Sequence, residues 1–236
     1  APGGKGINVS RVLAELGVAS TAAFTAGGRW GDVLIDLLNG QSFEQAPLRI
    51  AAPTRTNVTL RAENGASIKV NERGPHLALR EAAAMRKALN QLFAGRGWIV
   101  LAGSLPEGLG ETFYATLARA GHKAGAQVAV DCEGAAMLAA LRCKPDLIKP
   151  NRAELEGILN RPVRSRTAIV AAIHDLLERG ARRVVVSAGK GEVIAGEAGG
   201  IWRAVPPRVD QLSPLGACDS MVAGIVSVLT RGNDFA

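Results

Sequence analysis

The sequence predicts a three-layer α/β/α fold, with a mostly parallel central sheet between helices and a small β hairpin set apart from it. Three observations predict it. Short apolar runs rich in Val, Ile and Ala alternate with longer amphipathic segments, as the crossover connections of a parallel sheet require. The chain has 236 residues, 47% of them hydrophobic, enough for one sizeable core filled by aliphatic side chains, since aromatics are only 4%. One segment breaks the alternation: two strand-like stretches flank Ala62-Glu63-Asn64-Gly65, and Asn-Gly between alternating residues is a strong hairpin signal.

The elements follow in chain order. Pro2-Gly3-Gly4-Lys5-Gly6 opens the chain and leads into a helical stretch that ends at Leu16-Gly17. Residues 21–26, Thr-Ala-Ala-Phe-Thr-Ala, read as the first buried strand. Residues 56–61 and 66–71 form the hairpin, with Val58, Leu60, Ile68 and Val70 as candidates for its apolar face. Strands are expected at 98–102, 127–131, 147–149 and 183–187. Helices are expected at 79–93, 110–124, 134–142, 152–159 and 167–179, and another after Asp219. No linker, repeat or low-complexity tract divides the chain, so residues 1–236 are expected to form a single domain.

Composition narrows the function classes. The net charge is +7 and the isoelectric point about 9.8. The Lys and Arg residues are scattered rather than interleaved with aromatics, so phosphorylated metabolites are better partners than nucleic acid. No run of about 18 apolar residues is present, so no membrane span is expected. No secretory signal is recognised, and Cys132, Cys143 and Cys218 form no metal-like spacing. The cytosol is therefore the expected compartment.

Two Gly-rich segments carry the chemistry. Near the end, Leu215-Gly216-Ala217-Cys218-Asp219 runs into an apolar helix. Small residues before a helix leave its first N–H groups and its dipole open to an anion. Asp219, in that first turn, is either a carboxylate complementing the dipole or a group that acts on whatever binds there. At the start, Gly3 and Gly4 allow a close backbone approach, and Lys5 and Asn8 add a charge and an amide. The strand ends agree with this: Gly103-Ser104, Asp131, Asn151 and Ser187-Gly189 all fall beyond the carboxyl ends of strands, where ligands of parallel sheets gather.

Together, these segments resemble the pfkB/ribokinase family of carbohydrate kinases. Between them lie Thr54-Arg55-Thr56-Asn57, Asn71-Glu72-Arg73-Gly74-Pro75, Ala102-Gly103-Ser104-Leu105-Pro106, Lys149-Pro150-Asn151-Arg152-Ala153-Glu154 and Ser187-Ala188-Gly189. The Gly-Gly-Lys-Gly form looks most like the 1-phosphofructokinase and tagatose-6-phosphate kinase branch. The resemblance implies a ribokinase-like fold and ATP- and Mg²⁺-dependent phosphorylation of a ketohexose phosphate. Fructose 1-phosphate is the first expectation, with tagatose 6-phosphate and fructose 6-phosphate as alternatives. It implies Asp219 as general base and Gly216, Ala217 and Cys218 as an anion hole. Gly3, Gly4, Lys5, Asn8, Arg55, Asn57 and Ser104 would be sugar-phosphate contacts, with Arg55 on the phosphate. On the ATP side it implies Asn151, Glu154, Ser187 and Gly189, with Glu154 meeting Mg²⁺ through water.

The resemblance also implies that the hairpin, at about 55–73, is a lid that mediates a homodimer. Relative to the family pattern, a first strand before Gly3 and helices after the last one are expected outside the sequence given. Two departures favour another class, a catalytically weakened sugar-phosphate-binding protein: Cys218 and Glu192 stand where the family has glycine.

Overall fold

The computed structural model describes every residue except 1, 62–66, 189–190, 208–215, 234 and 236. Eight helices and ten strands are described, in the order α1 Lys5–Glu15, β1 Thr21–Ala26, α2 Gly28–Leu38, β2 Glu44–Arg49, β3 Asn57–Arg61, β4 Ser67–Asn71, α3 Leu79–Leu92, β5 Trp98–Ala102, α4 Phe113–Lys123, β6 Gln127–Asp131, α5 Gly134–Leu141, β7 Leu147–Ile148, α6 Arg152–Leu159, α7 Arg166–Glu178, β8 Arg183–Ser187, β9 Val193–Glu197, β10 Gly200–Ala204 and α8 Ala217–Thr230.

The main sheet has the order β10-β9-β8-β7-β6-β5, with β5 to β8 parallel and β9 and β10 antiparallel at one edge. Successive strand residues point to opposite faces, and the two cores divide accordingly. Val128, Val130, Val184 and Val186 join the larger core with Met137, Leu155, Ile169 and Ile173 from α5, α6 and α7. Ala129 and Val185, the residues between them, face Val9 and Leu13 of α1 and Val222, Ala223 and Val226 of α8. Burying one such Val, Leu or Ile is worth about 1.5–3 kcal/mol. Strands this apolar on both faces therefore require a layer of helices on each side. The expected three layers are present, and α1 packs directly against α8.

β1 and β2 form a separate two-stranded parallel sheet, from Thr21↔Glu44 to Ala26↔Arg49. A cavity of about 890 Å³ runs between β1 and the β5 side of the main sheet. β3 and β4 form the expected antiparallel hairpin, with Val58↔Val70 and Leu60↔Ile68 in register. Those four side chains are all exposed. The Asn64-Gly65 turn lies outside the described residues.

Four elements were not read from the sequence. α2 follows Gly27 directly, its start hidden by the glycines. β2, Glu-Gln-Ala-Pro-Leu-Arg, has neither alternation nor an apolar run, and Pro47 is tolerated because the strand lies at an edge. β9 and β10 carry Gly196 and Gly200, which dilute any strand signal. Gly196 is a packing requirement: a Cβ there would stand 2.5 Å from Ile173 Cγ2 and 2.6 Å from Ile201 Cδ1. Boundaries differ modestly. The helix expected at 110–124 starts at Phe113, and the strand expected at 147–149 ends at Ile148.

Candidate functional site

The N-termini of α1 and α8 and the carboxyl ends of β5 to β8 meet at one end of the sheet. Both helices begin on glycine. Gly216 caps α8 at φ 82° and Gly4 caps α1 at φ 133°, and neither makes a side-chain cap hydrogen bond. A side chain at Gly216 would force a left-handed backbone that costs about 1 kcal/mol or more. The first-turn N–H groups of each helix have no acceptor within the helix, the arrangement in which a helix start can receive an anion.

Asp219 is the third residue of α8 and is 5% exposed. Its Oδ2 accepts from Asn8 Nδ2 at 2.8 Å, and Asn8 Oδ1 in turn accepts from Arg11 Nη1 at 3.0 Å. Arg11 thus fixes which way the amide faces. Burial raises the pKa of Asp219 above the ordinary aspartate value. The Asn8 hydrogen bond opposes that rise, the Asp131 charge adds to it, and Lys5 and Lys149 oppose it.

A charged network lies beside this carboxylate. Asp131, at the end of β6, is 2% exposed and Lys149, after β7, is 1% exposed. Lys149 Nζ stands 3.8 Å from Asp131 Oδ1, and Lys5 Nζ stands 3.3 Å from Asp131 Oδ2. Among the described residues, neither Lys149 Nζ nor Asp131 Oδ1 has a hydrogen-bond partner. Burial lowers the pKa of Lys5, but the charges of Asp131, Glu154 and Asp219 outweigh it and raise the ammonium above the ordinary lysine value. Lys5 is therefore committed to the carboxylates near Asp219. Arg55 instead reaches Ser104, with Nη2 3.3 Å from Oγ.

Gly3, Gly4, Lys5, Arg55, Asn57 and Ser104 all line the 890 Å³ cavity. The loop bearing Ser104 is pinned from below: Tyr114 Oη donates to the carbonyls of Ala102 and Gly103 at 3.1 Å, and Gly103 N donates to Asp131 O at 3.0 Å.

Asn151 and Glu154 make a capping box at α6. Asn151 Oδ1 accepts from Glu154 N at 2.9 Å, and Glu154 Oε2 accepts from Asn151 N at 2.8 Å. Asn151 also bridges Ser187 at the end of β8. Gly189 lies outside the described residues. Among the described residues no three His, Cys, Asp or Glu side chains gather to hold a metal.

Both departures from the glycine pattern find a physical answer. Cys218 is the second residue of α8, and positive φ falls on Gly216 instead, so its Cβ causes no backbone strain. The Glu192 carboxylate is held by Arg166 and Arg203. Sequence reasoning missed Arg11, Lys149 and the pairing role of Asp131. The signal available for Lys149 was a lysine directly after the buried Leu147-Ile148 and before proline.

Known proteins share this fold. The family described as pfkB family carbohydrate kinase matches residues 1–236. The tetrameric inhibited form of phosphofructokinase-2 from Escherichia coli superposes with a TM-score of 0.93 at 32% identity, covering 100% of this chain and 78% of that one. The same enzyme in complex with fructose-6-phosphate gives 0.91 at 32% identity, over 99% and 77%. A Thermotoga maritima protein described as a possible 1-phosphofructokinase gives 0.88 at 25%, over 97% and 73%. Among the described residues, no helix is long and apolar enough to cross a membrane. With its ribokinase-like fold, this chain belongs to the pfkB family of carbohydrate kinases, phosphotransferases that act on an alcohol group.

Proposed function

We propose that the chain is a single kinase domain that transfers the terminal phosphate of ATP to a ketohexose monophosphate, with fructose 1-phosphate as acceptor and O6 as the attacking oxygen. The observation that carries this reading is Asp219: a buried carboxylate in the first turn of a glycine-capped helix, 2.8 Å from the Asn8 amide. The sugar oxygen attacks the γ-phosphorus, its proton passes to Asp219, and the bond from that phosphorus to the bridging oxygen of ADP breaks. The N–H groups of Gly216, Ala217 and Cys218 face the charge spread over the transferring group. Raising the pKa of Asp219 makes it a better proton acceptor than an exposed aspartate.

Arg55, beside Ser104, is the candidate for the phosphate already on the sugar, since its guanidinium matches phosphate oxygens two at a time. Gly3, Gly4, Asn8 and Asn57 complete the sugar side, and Lys5 supplies positive charge close to Asp219. The ATP side comprises Asn151, Glu154, Ser187 and Gly189. The donor set suits Mg²⁺, which keeps several waters and needs few protein ligands. Glu154 Oε2 is engaged in the capping box, leaving its second oxygen for a bound water of the ion. When bound, the ion would neutralise phosphate charge.

A second reading, fructose 6-phosphate attacked at O1, is favoured by the 32% identical relative whose structure holds that sugar phosphate. Either reading yields fructose 1,6-bisphosphate. A coupled ADP assay with fructose 1-phosphate, fructose 6-phosphate and tagatose 6-phosphate decides between them by kcat/KM. Absence of turnover with all three would leave a sugar-phosphate-binding protein.

The hairpin β3–β4 is proposed as a lid that pairs with the lid of a second copy in the cytosol. Val58, Leu60, Ile68 and Val70 are exposed by 46–65%, a face that association would cover. Sedimentation is expected to give a dimer mass. A mass that stays monomeric at all concentrations overturns the lid contact.

A further inference from the structure

Glu192 stands at the end of the connection between β8 and β9. Its backbone closes that connection, since its carbonyl accepts from Ala188 N at 3.1 Å, and the ladder continues directly with Ser187↔Val193. Its side chain is only 17% exposed and receives two guanidiniums from different elements. Arg166, the first residue of α7, places Nε 3.2 Å from Oε1 and 3.1 Å from Oε2, with Nη2 3.0 Å from Oε2. Arg203 of β10 donates from Nε to Oε2 at 2.8 Å. Among the described non-glycine residues only Lys144 and Asn160 have positive φ, so Glu192 replaces the family glycine without backbone strain.

An isolated exposed ion pair contributes little because ordering two side chains offsets its attraction. Here one carboxylate orders both arginines, and the geometry with Arg166 is forked. The Arg166 hydrogen bond, with help from Arg203, holds the carboxyl below the ordinary glutamate value, so it is charged at neutral pH.

We propose that Glu192 is a positioning residue for nucleotide binding: through Arg166 and Arg203 it anchors the Ser187-Ala188 end of the β8–β9 connection to α7 and β10 in the arrangement that receives ATP. This rests on the reading that Ser187 lies on the ATP side. The carboxylate spends its charge on two arginines rather than on repelling phosphate.

The test is Glu192→Gln in the full-length protein, assayed for sugar-phosphate phosphorylation. KM for ATP is expected to rise about three- to tenfold, the range that two coupled surface pairs supply, while KM for the sugar phosphate and kcat stay within about twofold. In a background of Arg166→Gln and Arg203→Gln, the same substitution should have no further effect on KM for ATP. An unchanged or lower KM for ATP, an equal loss on both substrates, or an undiminished effect in the double-arginine background overturns the proposal. If the parent protein transfers no phosphate to any of the three sugars, the kinase reading fails on its own. Calorimetric affinity for Mg²⁺ with a non-hydrolysable ATP analogue then tests Glu192 separately: weaker binding in Glu192→Gln supports it, and equal binding or no binding by either protein overturns it.

Discussion

Helices α6 and α8 both start at the carboxyl end of the sheet, and both carry an acidic residue at the third helical position. Their carboxylates do different work. Glu154 of α6 turns back and caps the N–H of Asn151, while Asn151 caps Glu154 in return, so the helix closes its own end. Asp219 of α8 has no capping partner, because its cap is Gly216. One methylene shorter, its carboxylate reaches across to Asn8 of α1. One helix closes its own first turn, and the other starts on a glycine without a side-chain cap.

The largest test of this difference is Asp219→Asn. The amide keeps the shape but cannot take a proton, so kcat is expected to fall about 10²- to 10⁴-fold, with ATP binding largely kept. A variant that keeps more than about a tenth of kcat removes Asp219 from the role of base. Stability should move the other way. The fold raises the pKa of Asp219, so it binds the proton more tightly than the unfolded chain does. Stability is therefore lost as pH rises through the raised value. Above that range Asn avoids the cost of the buried charge, and a higher melting temperature than the parent at pH 7 is expected.

Exchanging the caps sharpens the contrast. Asn151→Ala should lower stability by about 1 kcal/mol through the lost cap. Gly216→Ala should lower stability by a similar amount through its positive φ, but should lower kcat far more than Asn151→Ala does. Chemical denaturation alongside kcat measurements separates the two. Equal losses of kcat would mean that the open end of α8 is not special.

Asn8→Ala tests the bond across the helices. The Asn8 amide favours the charged form of Asp219, so losing it should push the acid limb of kcat/KM to higher pH. A limb that stays in place or moves to lower pH breaks the link. The smallest effect is expected at Cys218, whose thiol sits in the open first turn of α8. Cys218→Gly should raise kcat severalfold at most and abolish inhibition by thiol reagents, and Mg-ATP should slow alkylation of the parent. A variant no more active than the parent, together with alkylation unaffected by Mg-ATP, overturns the expectation that the Cys218 thiol crowds the transferring phosphate.

Much of this architecture was legible in the residues. Strands such as 127–131 and 183–187 are short, apolar and bounded by polar groups, and their ends match the structure. β2 was not legible, because its pairing with β1 is decided by a neighbour more than twenty residues away rather than by its own pattern. In the site, Asp219, Asn8 and Arg55 stood out through local motifs. Arg11 did not, because a helix surface arginine looks the same whether or not it orients an amide.

By itself, the sequence determined most of the strands and helices, though not α2, β2, β9 or β10, and it showed where glycine lets a helix begin without a side-chain cap and which family the motifs resemble. Those properties depend on neighbours a few residues apart. Only the tertiary structure decided that Lys5 pairs with Asp131 across 126 residues, that Asp219 meets Asn8 across 211, and that Glu192 faces two arginines. The direction a charge faces, and therefore its pKa and its chemistry, depends on burial and on partners that packing brings together.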